Sequence, residues 1–211
     1  MSIKDNRREY DYGTLSQDSL NDNPFTQFSL WMDQAIEADI IDPTAMSVAT
    51  VGEGGKPWQR MVLLKGFDER GFVFYTNLGS RKATDIAANP HVSLQFPWLQ
   101  LDRQVIIGGR AEALSESEVS DYFYSRPLSS QLAAWASQQS SPIASRSVLE
   151  AQFEAVKRQF SSGNITVPEF WSGFRVVPEE FEFWQGGENR LHDRFSFQRQ
   201  EYDWGISRLS P

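Results

Sequence analysis

A short segment near the carboxyl end of the chain carries the side chains best suited to chemistry. It begins at Trp184, passes a Gly-Gly turn and continues through Arg190, His192 and Arg194, which stand two residues apart. If the segment is extended, this spacing points the last three side chains to one face of a sheet. Two guanidiniums and an imidazole beside an indole suit a flat anionic ligand, because cations supply charge and planar groups supply stacking. The alternative is a hairpin with a solvated basic face.

A second candidate is an apolar strand with a cation at each end, Arg60-Met61-Val62-Leu63-Leu64-Lys65. Five positions separate Arg60 from Lys65, so strict alternation places the two cations on opposite faces. One strand could then serve two anionic groups, one on each side. The alternative is a strand whose charged ends simply reach water.

A third candidate is a phosphate site at the start of a helix. Tyr75 and Thr76 end a strand, a Gly-Ser turn follows, and Arg81 and Lys82 occupy the first helical turn. A helix N-terminus offers free N–H groups and the positive end of the helix dipole. Two cations there reduce stability unless an anion lies opposite, so the pattern favours a bound phosphate. The segment has neither the P-loop nor the Rossmann glycine pattern.

A further oxyanion cradle is indicated by Tyr122, Arg126 and Ser130, which recur at i, i+4 and i+8. This spacing places a phenol, a guanidinium and a hydroxyl on one face of a helix, or of two helices joined at Pro127. The alternative is an ordinary helix surface. Neutral groups able to read the edge of a heterocycle occur at Gln104, Gln139 and Ser140, although no spacing rule marks them.

Composition excludes several classes of function. The chain has 211 residues, with 20 basic and 28 acidic side chains and a net charge of -8. This balance argues against general binding of nucleic acid or anionic membranes. The absence of cysteine excludes disulfides and thiolate nucleophiles, and two histidines are too few for a His-rich metal centre. The sequence shows no apolar signal core or membrane-spanning run, so we expect a cytoplasmic protein.

The elements that position these groups follow from periodicity. Residues 1–20 are polar and predict a flexible N-terminal arm or lid, and 21–211 a single domain. Helices are predicted over 24–39, 81–89, 116–125, 128–138 and 145–160, and strands over 45–51, 58–65, 72–76, 91–98, 103–114, 170–177, 181–184, 191–199 and 204–209. Short connections between the first three strands predict an antiparallel meander. An apolar stripe on the helix over 145–160 indicates core or dimer packing. The fold class is therefore α+β, with an antiparallel sheet long enough to curl into a barrel.

Taken together, these segments resemble the pyridoxine (pyridoxamine) 5'-phosphate oxidase family over nearly the whole chain. The motifs that carry the resemblance are 60–65, 74–82 (FYTNLGSRK), 122–127 (YFYSRP), 183–187 (FWQGG) and 190–194 (RLHDR). The resemblance implies an FMN-binding split β-barrel with surrounding helices. It also implies a homodimer in which both subunits contribute to each of two FMN sites.

The resemblance also implies residue roles. The FMN phosphate would be held by Arg60, Arg81 and Lys82. The rest of the flavin would lie against Met61, Val62, Leu63, Leu64, Lys65, Tyr75, Thr76, Gln104, Gln139, Ser140, Trp184 and Arg194. The substrate phosphate would contact Lys65, Tyr122, Arg126 and Ser130. Catalytic Arg190 and His192 would flank the substrate ring, with Arg7 and Tyr10 of the arm closing over it.

The activity implied is FMN-dependent oxidation of pyridoxine or pyridoxamine 5'-phosphate to pyridoxal 5'-phosphate, with O2 as acceptor and H2O2 released. His192 could serve as the proton acceptor or only position the ring. Two alternatives are a split-barrel flavin reductase and a flavin- or pyridoxal-phosphate-binding protein without turnover. No nucleic acid, membrane or metal partner is expected.

Overall fold

Nine strands and five α-helices form the regular structure of residues 2–5 and 8–211, the part of the chain that this computed structural model describes. The helices are α1 Pro24–Glu37, α2 Arg81–Ala88, α3 Glu116–Ser125, α4 Leu128–Ala136 and α5 Arg146–Gln159. The strands are β1 Ala45–Val51, β2 Pro57–Leu63, β3 Gly66–Asp68, β4 Gly71–Asn77, β5 His91–Trp98, β6 Arg103–Ala113, β7 Trp171–Gln185, β8 Asp193–Arg199 and β9 Trp204–Leu209. Most of the predicted elements are present with boundaries within two residues.

The first helix begins where its capping signal predicts. Asn23 accepts hydrogen bonds from the backbone N–H of Phe25 (2.8 Å) and Thr26 (3.4 Å), and Pro24 occupies the first turn. The apolar face buries Phe28 and Trp31 in the core. This packing places α1 against the barrel core.

All nine strands belong to one antiparallel sheet. Its order is β2-β1-β5-β6-β7-β4-β3, with β8 on β7 and β9 on β8. Lys65 lies between β2 and β3, and its N–H donates to the carbonyl of Val73 on β4 at 2.8 Å. The chain that leaves β2 at one end of this order thus joins the strands at the other end. The sheet therefore closes on itself, as the predicted barrel requires.

The predicted meander of the first three strands is confirmed for β1 and β2, which pair antiparallel, but β4 does not pair with β2 itself. β4 pairs with β7, with Phe74 opposite Phe174, instead of continuing from β2. The segment interpreted as a turn contains β3, which forms its own small hairpin with β4. A short connection favours pairing of the two strands that it joins. β4, however, is almost completely buried, which requires a central position in the sheet.

The two strands predicted over 170–177 and 181–184 are one continuous strand, β7. Pro178 cannot donate to the ladder, and the pairing with β6 shifts register at Gly108 and Gly109. A Cβ at Gly109 would lie 2.2 Å from the Val177 carbonyl oxygen, so only glycine allows the strands to approach there. The strand thus continues through Pro178, although a proline in the sequence suggests that a strand ends there. Trp171 at its start and Trp184 near its end are separated by roughly 40 Å of strand length.

The core is largely aromatic. Its largest fully buried side chains include Trp98, Phe28, Phe72, Phe74, Phe96, Phe123, Phe181, Phe183, Phe195 and Phe197. A smaller cluster around Phe123 and Trp171 lies beneath the helices α3 to α5. The predicted apolar stripe of α5 packs against this cluster only through Phe153, Val156 and Phe160.

The arm contacts the rest of the chain from residue 8 onward, and the flexibility expected of residues 1–20 stays a prediction. The guanidinium of Arg8 pairs with the buried carboxylate of Asp102 and donates to the Leu99 carbonyl at 2.9 Å. Further along, the N–H of Leu15 donates to Asp193 Oδ2 at 2.9 Å. Arg7, a predicted substrate-binding residue, lies outside the described residues.

No helix in the described ranges is both long enough and apolar enough to cross a bilayer. The cytoplasmic location expected from the sequence stays a prediction.

Candidate active site

A cavity of about 390 Å³, which we call the cationic cavity, opens beside the end of β4 and the α3–α4 junction. Lys65, Lys82 and Arg126 contribute three positive charges to its wall, and none of the described lining residues is Asp or Glu. In a protein of net charge -8, this is a local excess of cations. The cavity is therefore suited to anionic ligands.

Lys82 is the most buried of these cations. Its Nζ donates to Gln139 Oε1 at 2.8 Å and to Thr76 Oγ1 at 3.0 Å. Burial, assisted by the nearby charge of Arg60, lowers the pKa of Lys82 to about 8. The ammonium is thus held by neutral oxygens alone, and its charge is left for a ligand.

The N-terminus of α2 lies beside Lys82. Ser80 is the N-cap residue but makes no side-chain capping bond. The N–H of Arg81 donates to Ser140 Oγ at 3.2 Å, and the Arg81 guanidinium lies 4.0 Å from the centre of the Trp58 ring. The predicted group Arg81, Lys82, Gln139 and Ser140 is therefore brought together around one helix start.

Two guanidiniums in this region have buried N–H groups without a hydrogen-bond partner. They are Nη2 of Arg60 and Nη1 of Arg126. Burial lowers the pKa of both side chains. An unpaired buried cationic donor is unfavourable, so each arginine is matched to an anion that completes its hydrogen bonds. Two such groups agree with a site for two phosphates.

Stacked rings form one wall of the cationic cavity. Tyr122 stacks on Tyr75 with centroids 4.0 Å apart, and Tyr75 stacks on Trp171 at 5.3 Å. The Arg126 guanidinium lies 4.8 Å from the centre of the Trp171 ring. These contacts hold Tyr122 and Arg126 in place at the cavity.

Ser130 is not among the residues that line this cavity. The chain is extended at Arg126, with φ -74° and ψ 150°, between the end of α3 and the start of α4. The i, i+4, i+8 spacing therefore does not describe one continuous helical face, and only Tyr122 and Arg126 share the site.

The strand segment 60–65 contributes unequally. Met61, Val62, Leu63 and Lys65 line the cavity. Leu64 is 5% exposed and packs in the barrel core. β2 ends at Leu63, so the alternation assumed between Arg60 and Lys65 does not extend through Lys65.

A second group of predicted residues forms an aromatic cluster, defined here as Tyr10, Trp184 and His192. The ring centroids of Trp184 and His192 are 4.7 Å apart, and Tyr10 lies edge-on to both, at 5.8 and 5.4 Å. The Arg190 guanidinium lies 5.4 Å from the centre of the Tyr10 ring. A Cβ at Gly186 would lie 2.8 Å from Tyr10, so the Gly-Gly turn forms the seat for the arm.

The extended segment assumed for Arg190, His192 and Arg194 is not present. Residues Glu188–Arg190 form a 3-10 turn, φ is 64° at Arg190, and β8 begins only at Asp193. The three side chains consequently do not form a row on one face. Sequence periodicity missed this turn because Asn189 and Arg190 both adopt left-handed conformations.

His192 and Arg194 have well-defined partners. Nδ1 of His192 accepts a hydrogen bond from the N–H of Gly187 at 3.2 Å, so the proton of the neutral ring is on Nε2. Arg194 donates to both carboxylate oxygens of Glu182, at 2.8 and 3.3 Å, and this pairing raises its pKa. The charge of Arg194 is therefore matched within the chain.

The predicted site residues thus fall into two groups on one subunit. Gln104, Trp184 and Tyr10 line a separate cavity of about 720 Å³, which shares no lining residue with the cationic cavity. The groups lie at opposite ends of β7. Sequence reasoning missed Trp171 in the first group and Arg8 in the second. Trp171 looks like an ordinary strand residue, and only the doubled arginine at 7–8 marks Arg8.

Two family models match most of the chain. A family model described as pyridoxamine 5'-phosphate oxidase matches residues 32–160. A second, described as the pyridoxine 5'-phosphate oxidase C-terminal dimerisation region, matches residues 171–211.

Individual relatives match over the full length. Pyridoxine/pyridoxamine 5'-phosphate oxidase of Serratia proteamaculans (strain 568) is 57% identical over 209 residues, 99% of this chain and 96% of its own. The protein of the same name from Vibrio cholerae serotype O1 (strain M66-2) is 56% identical and covers 100% of both chains. Among solved structures, PhzG from Burkholderia lata 383, in complex with tetrahydrophenazine-1-carboxylic acid, has a TM-score of 0.86 and 28% identity. The match covers 94% of this chain and 98% of PhzG.

Proposed function

Because the chain belongs to the pyridoxamine 5'-phosphate oxidase family, we propose that it oxidises pyridoxine and pyridoxamine 5'-phosphates to pyridoxal 5'-phosphate with bound FMN. The alcohol and O2 give the aldehyde and H2O2; the amine, O2 and water give the aldehyde, ammonia and H2O2. The observation that carries the proposal is the pair of buried guanidinium donors without partners, on Arg60 and Arg126. Both the cofactor and the substrates bear a phosphate.

The residues around α2 fit FMN. Arg60, Arg81 and Lys82 would hold its phosphate. The segment 61–65, Tyr75, Thr76, Gln139 and Ser140 would surround the rest. The chemistry that bound FMN supplies is acceptance of a hydride from the substrate and transfer of two electrons to O2. The protein itself contributes orientation and fixed charge.

The substrate phosphate would be clamped by Lys65, Tyr122 and Arg126. These side chains line the cationic cavity at the side of the stacked rings. Clamping one end of a small ring restricts where the carbon to be oxidised can lie, which lowers the entropic part of the barrier. A role for Ser130 stays a prediction.

A homodimer would complete each site. Reacting atoms must approach to about 3–3.5 Å, whereas Arg190 and His192 lie at the other end of β7 from the cationic cavity. The segment matched as a dimerisation region contains Trp184, Arg190 and His192. We therefore propose that the aromatic cluster of one subunit covers the cationic cavity of its partner. In this arrangement Gln104 and Arg194 also reach the flavin from the second subunit.

His192 is proposed to position the substrate and not to act as its base. Its Nδ1 lone pair already accepts the Gly187 N–H, so neutral His192 offers only a donor, Nε2–H, to a ligand. A donor at this position would hydrogen-bond a substrate oxygen. Arg190 would lie over the substrate ring and add a positive charge there.

The test of the proposal is optical. Purified protein is expected to be yellow, and anaerobic pyridoxine 5'-phosphate should bleach the flavin, with peroxide formed when O2 is admitted. Bleaching by a nicotinamide nucleotide alone would identify a flavin reductase. A coloured protein that neither compound bleaches would be a binding protein. Either result would overturn the proposal.

Arg126→Ala is expected to raise KM for pyridoxine 5'-phosphate about tenfold or more. The variant removes a charge-assisted contact of roughly 1.5–3 kcal/mol with the substrate phosphate. Steady-state peroxide formation measures the change, and Arg126→Lys, which keeps the charge but not the planar fork, should fall in between. An unchanged KM in the alanine variant would show that Arg126 does not bind the substrate phosphate.

The affinity for FMN is expected to fall as pH rises through about 8. Burial lowers the pKa of Lys82 to about 8, so the side chain is charged below this pH and neutral above it. The charged form favours the phosphate, and the fall is therefore at most about tenfold per pH unit. Titration of apoprotein with FMN between pH 7 and 9.5 measures it. Lys82→Met should bind FMN weakly at every pH; a fall of equal size in that variant would assign the titration to another group.

A further inference from the structure

We infer that Thr50 and Asp85 form a relay that positions the Arg60 guanidinium for the FMN phosphate, an inference that rests on the proposed function. Neither residue lines the cationic cavity, and neither belongs to the predicted site. Thr50 lies on β1, one strand away from Arg60 on β2, and Asp85 lies in the second turn of α2. The three side chains meet behind the phosphate site.

Thr50 is the centre of the relay. It is 0% exposed. Its Oγ1 accepts a hydrogen bond from Arg60 Nη1 at 2.8 Å and donates to Asp85 Oδ2 at 2.7 Å. The other acceptor within reach, the Trp58 carbonyl oxygen, is farther, at 3.4 Å. A hydroxyl has a single proton, so its donation to Asp85 turns the oxygen lone pairs toward Arg60.

The relay fixes one side of the guanidinium and leaves the other side without a hydrogen-bond partner. Nη1 of Arg60 donates to the Val48 carbonyl at 3.1 Å as well as to Thr50, and these two bonds set the plane of the group. Nη2 is buried without a hydrogen-bond partner. Asp85 Oδ2 lies 3.7 Å from Nη2, which is too long for a hydrogen bond. Asp85 thus balances the charge of Arg60 without occupying the donor that a phosphate would use.

The local backbone makes room for Asp85. A Cβ at Gly52 would lie 2.5 Å from Asp85 Oδ1, so glycine in the turn after β1 leaves the space for the carboxylate. The same carboxylate lies 4.0 Å from Arg81 Nε. Asp85 therefore stands between two cations: burial and, to a smaller extent, the charge of Arg81 lower the pKa of Arg60, and the charge of Asp85 opposes both.

Two flavins separate positioning from general damage to the fold. Riboflavin lacks the phosphate, so a residue that acts through Arg60 on the phosphate should affect the affinity for FMN alone. Apoprotein is titrated with each flavin, and quenching of flavin fluorescence gives the two Kd values. Thr50→Val, which keeps the shape and removes the hydroxyl, is expected to weaken FMN binding about tenfold and leave riboflavin unchanged. Thr50→Ser keeps the hydroxyl and should bind FMN like the unaltered protein.

Asp85→Ala gives the sharper comparison because charge and positioning predict opposite signs. Removing a carboxylate from beside an anion site should strengthen FMN binding if Asp85 acted only through its charge. The relay predicts weaker FMN binding, because the Thr50 hydroxyl is then free to turn away from Arg60. In addition, Thr50→Val should cause little further loss when Arg60 is already alanine, since its effect passes through Arg60.

Several outcomes would overturn the relay. If Thr50→Val weakens the binding of FMN and of riboflavin equally, Thr50 has a structural role. If the variant binds FMN as tightly as the unaltered protein, Thr50 has no role in FMN binding. Tighter FMN binding in Asp85→Ala would show that Asp85 acts only as a negative charge that repels the FMN phosphate. If the unaltered protein does not bind FMN, the proposed function fails; if it binds FMN and Thr50→Val binds it equally well, only the relay fails.

Discussion

Arg190→Ala should lower kcat for pyridoxine 5'-phosphate by on the order of 100-fold while leaving the amount of bound FMN unchanged. Arg190 lies over the Tyr10 ring in the aromatic cluster, away from the residues proposed to hold the cofactor phosphate. Loss of its stacking and charge lets the substrate ring shift, and a shift of about 1 Å at a reacting centre can reduce the rate by 100-fold. Single-turnover reduction of the flavin, with FMN content measured on the same sample, tests this expectation.

Arg190→Lys is the matched control. φ is 64° at this position, and alanine and lysine both keep the same backbone strain, so the comparison isolates the guanidinium. Lysine retains the charge but not the planar group, and an intermediate kcat is expected. If FMN is lost in proportion to turnover, Arg190 belongs to the flavin site and the assignment is wrong.

At substrate concentrations well below KM, co-expression of Arg126→Ala and Arg190→Ala chains should give more activity than either variant shows alone. If each site combines the cationic cavity of one subunit with the aromatic cluster of the other, a mixed dimer contains one intact site and one doubly altered site. Random pairing makes about half of the dimers mixed, so about one quarter of the unaltered activity should return.

Two differently tagged chains allow the mixed dimer to be purified and assayed by itself. Its activity should reach about half that of the unaltered dimer. A mixed dimer no more active than the two parents would place both groups of residues in sites formed within one chain. The doubly altered chain, which offers no intact pair in any dimer, provides the baseline.

The sequence predicts the fold best where the signal is local. Asn23-Pro24 and Ser145 mark helix starts that the structure confirms, because a cap depends on residues only a few positions apart. Strand pairing depends on contacts distant in sequence. The position of β4 beside β7 and the continuity of β7 through Pro178 could not be deduced from spacing.

The same distinction applies to the site. Arg81 and Lys82 can be proposed from the sequence because a helix start with two cations is unusual by itself, and the structure confirms that helix start. The row assumed for Arg190, His192 and Arg194 failed because two consecutive left-handed residues interrupt the strand period. Thr50 and Asp85 carry no sequence signal at all: their roles arise from three elements meeting in space.

The length of β7 has a consequence for how the protein behaves on dilution. Its two ends carry the residues proposed for different sites, so in the proposed dimer a lone subunit holds half of two catalytic centres and the whole of neither. Catalysis then follows the mass action of subunit association: specific activity declines once the enzyme concentration falls below the dissociation constant of the dimer.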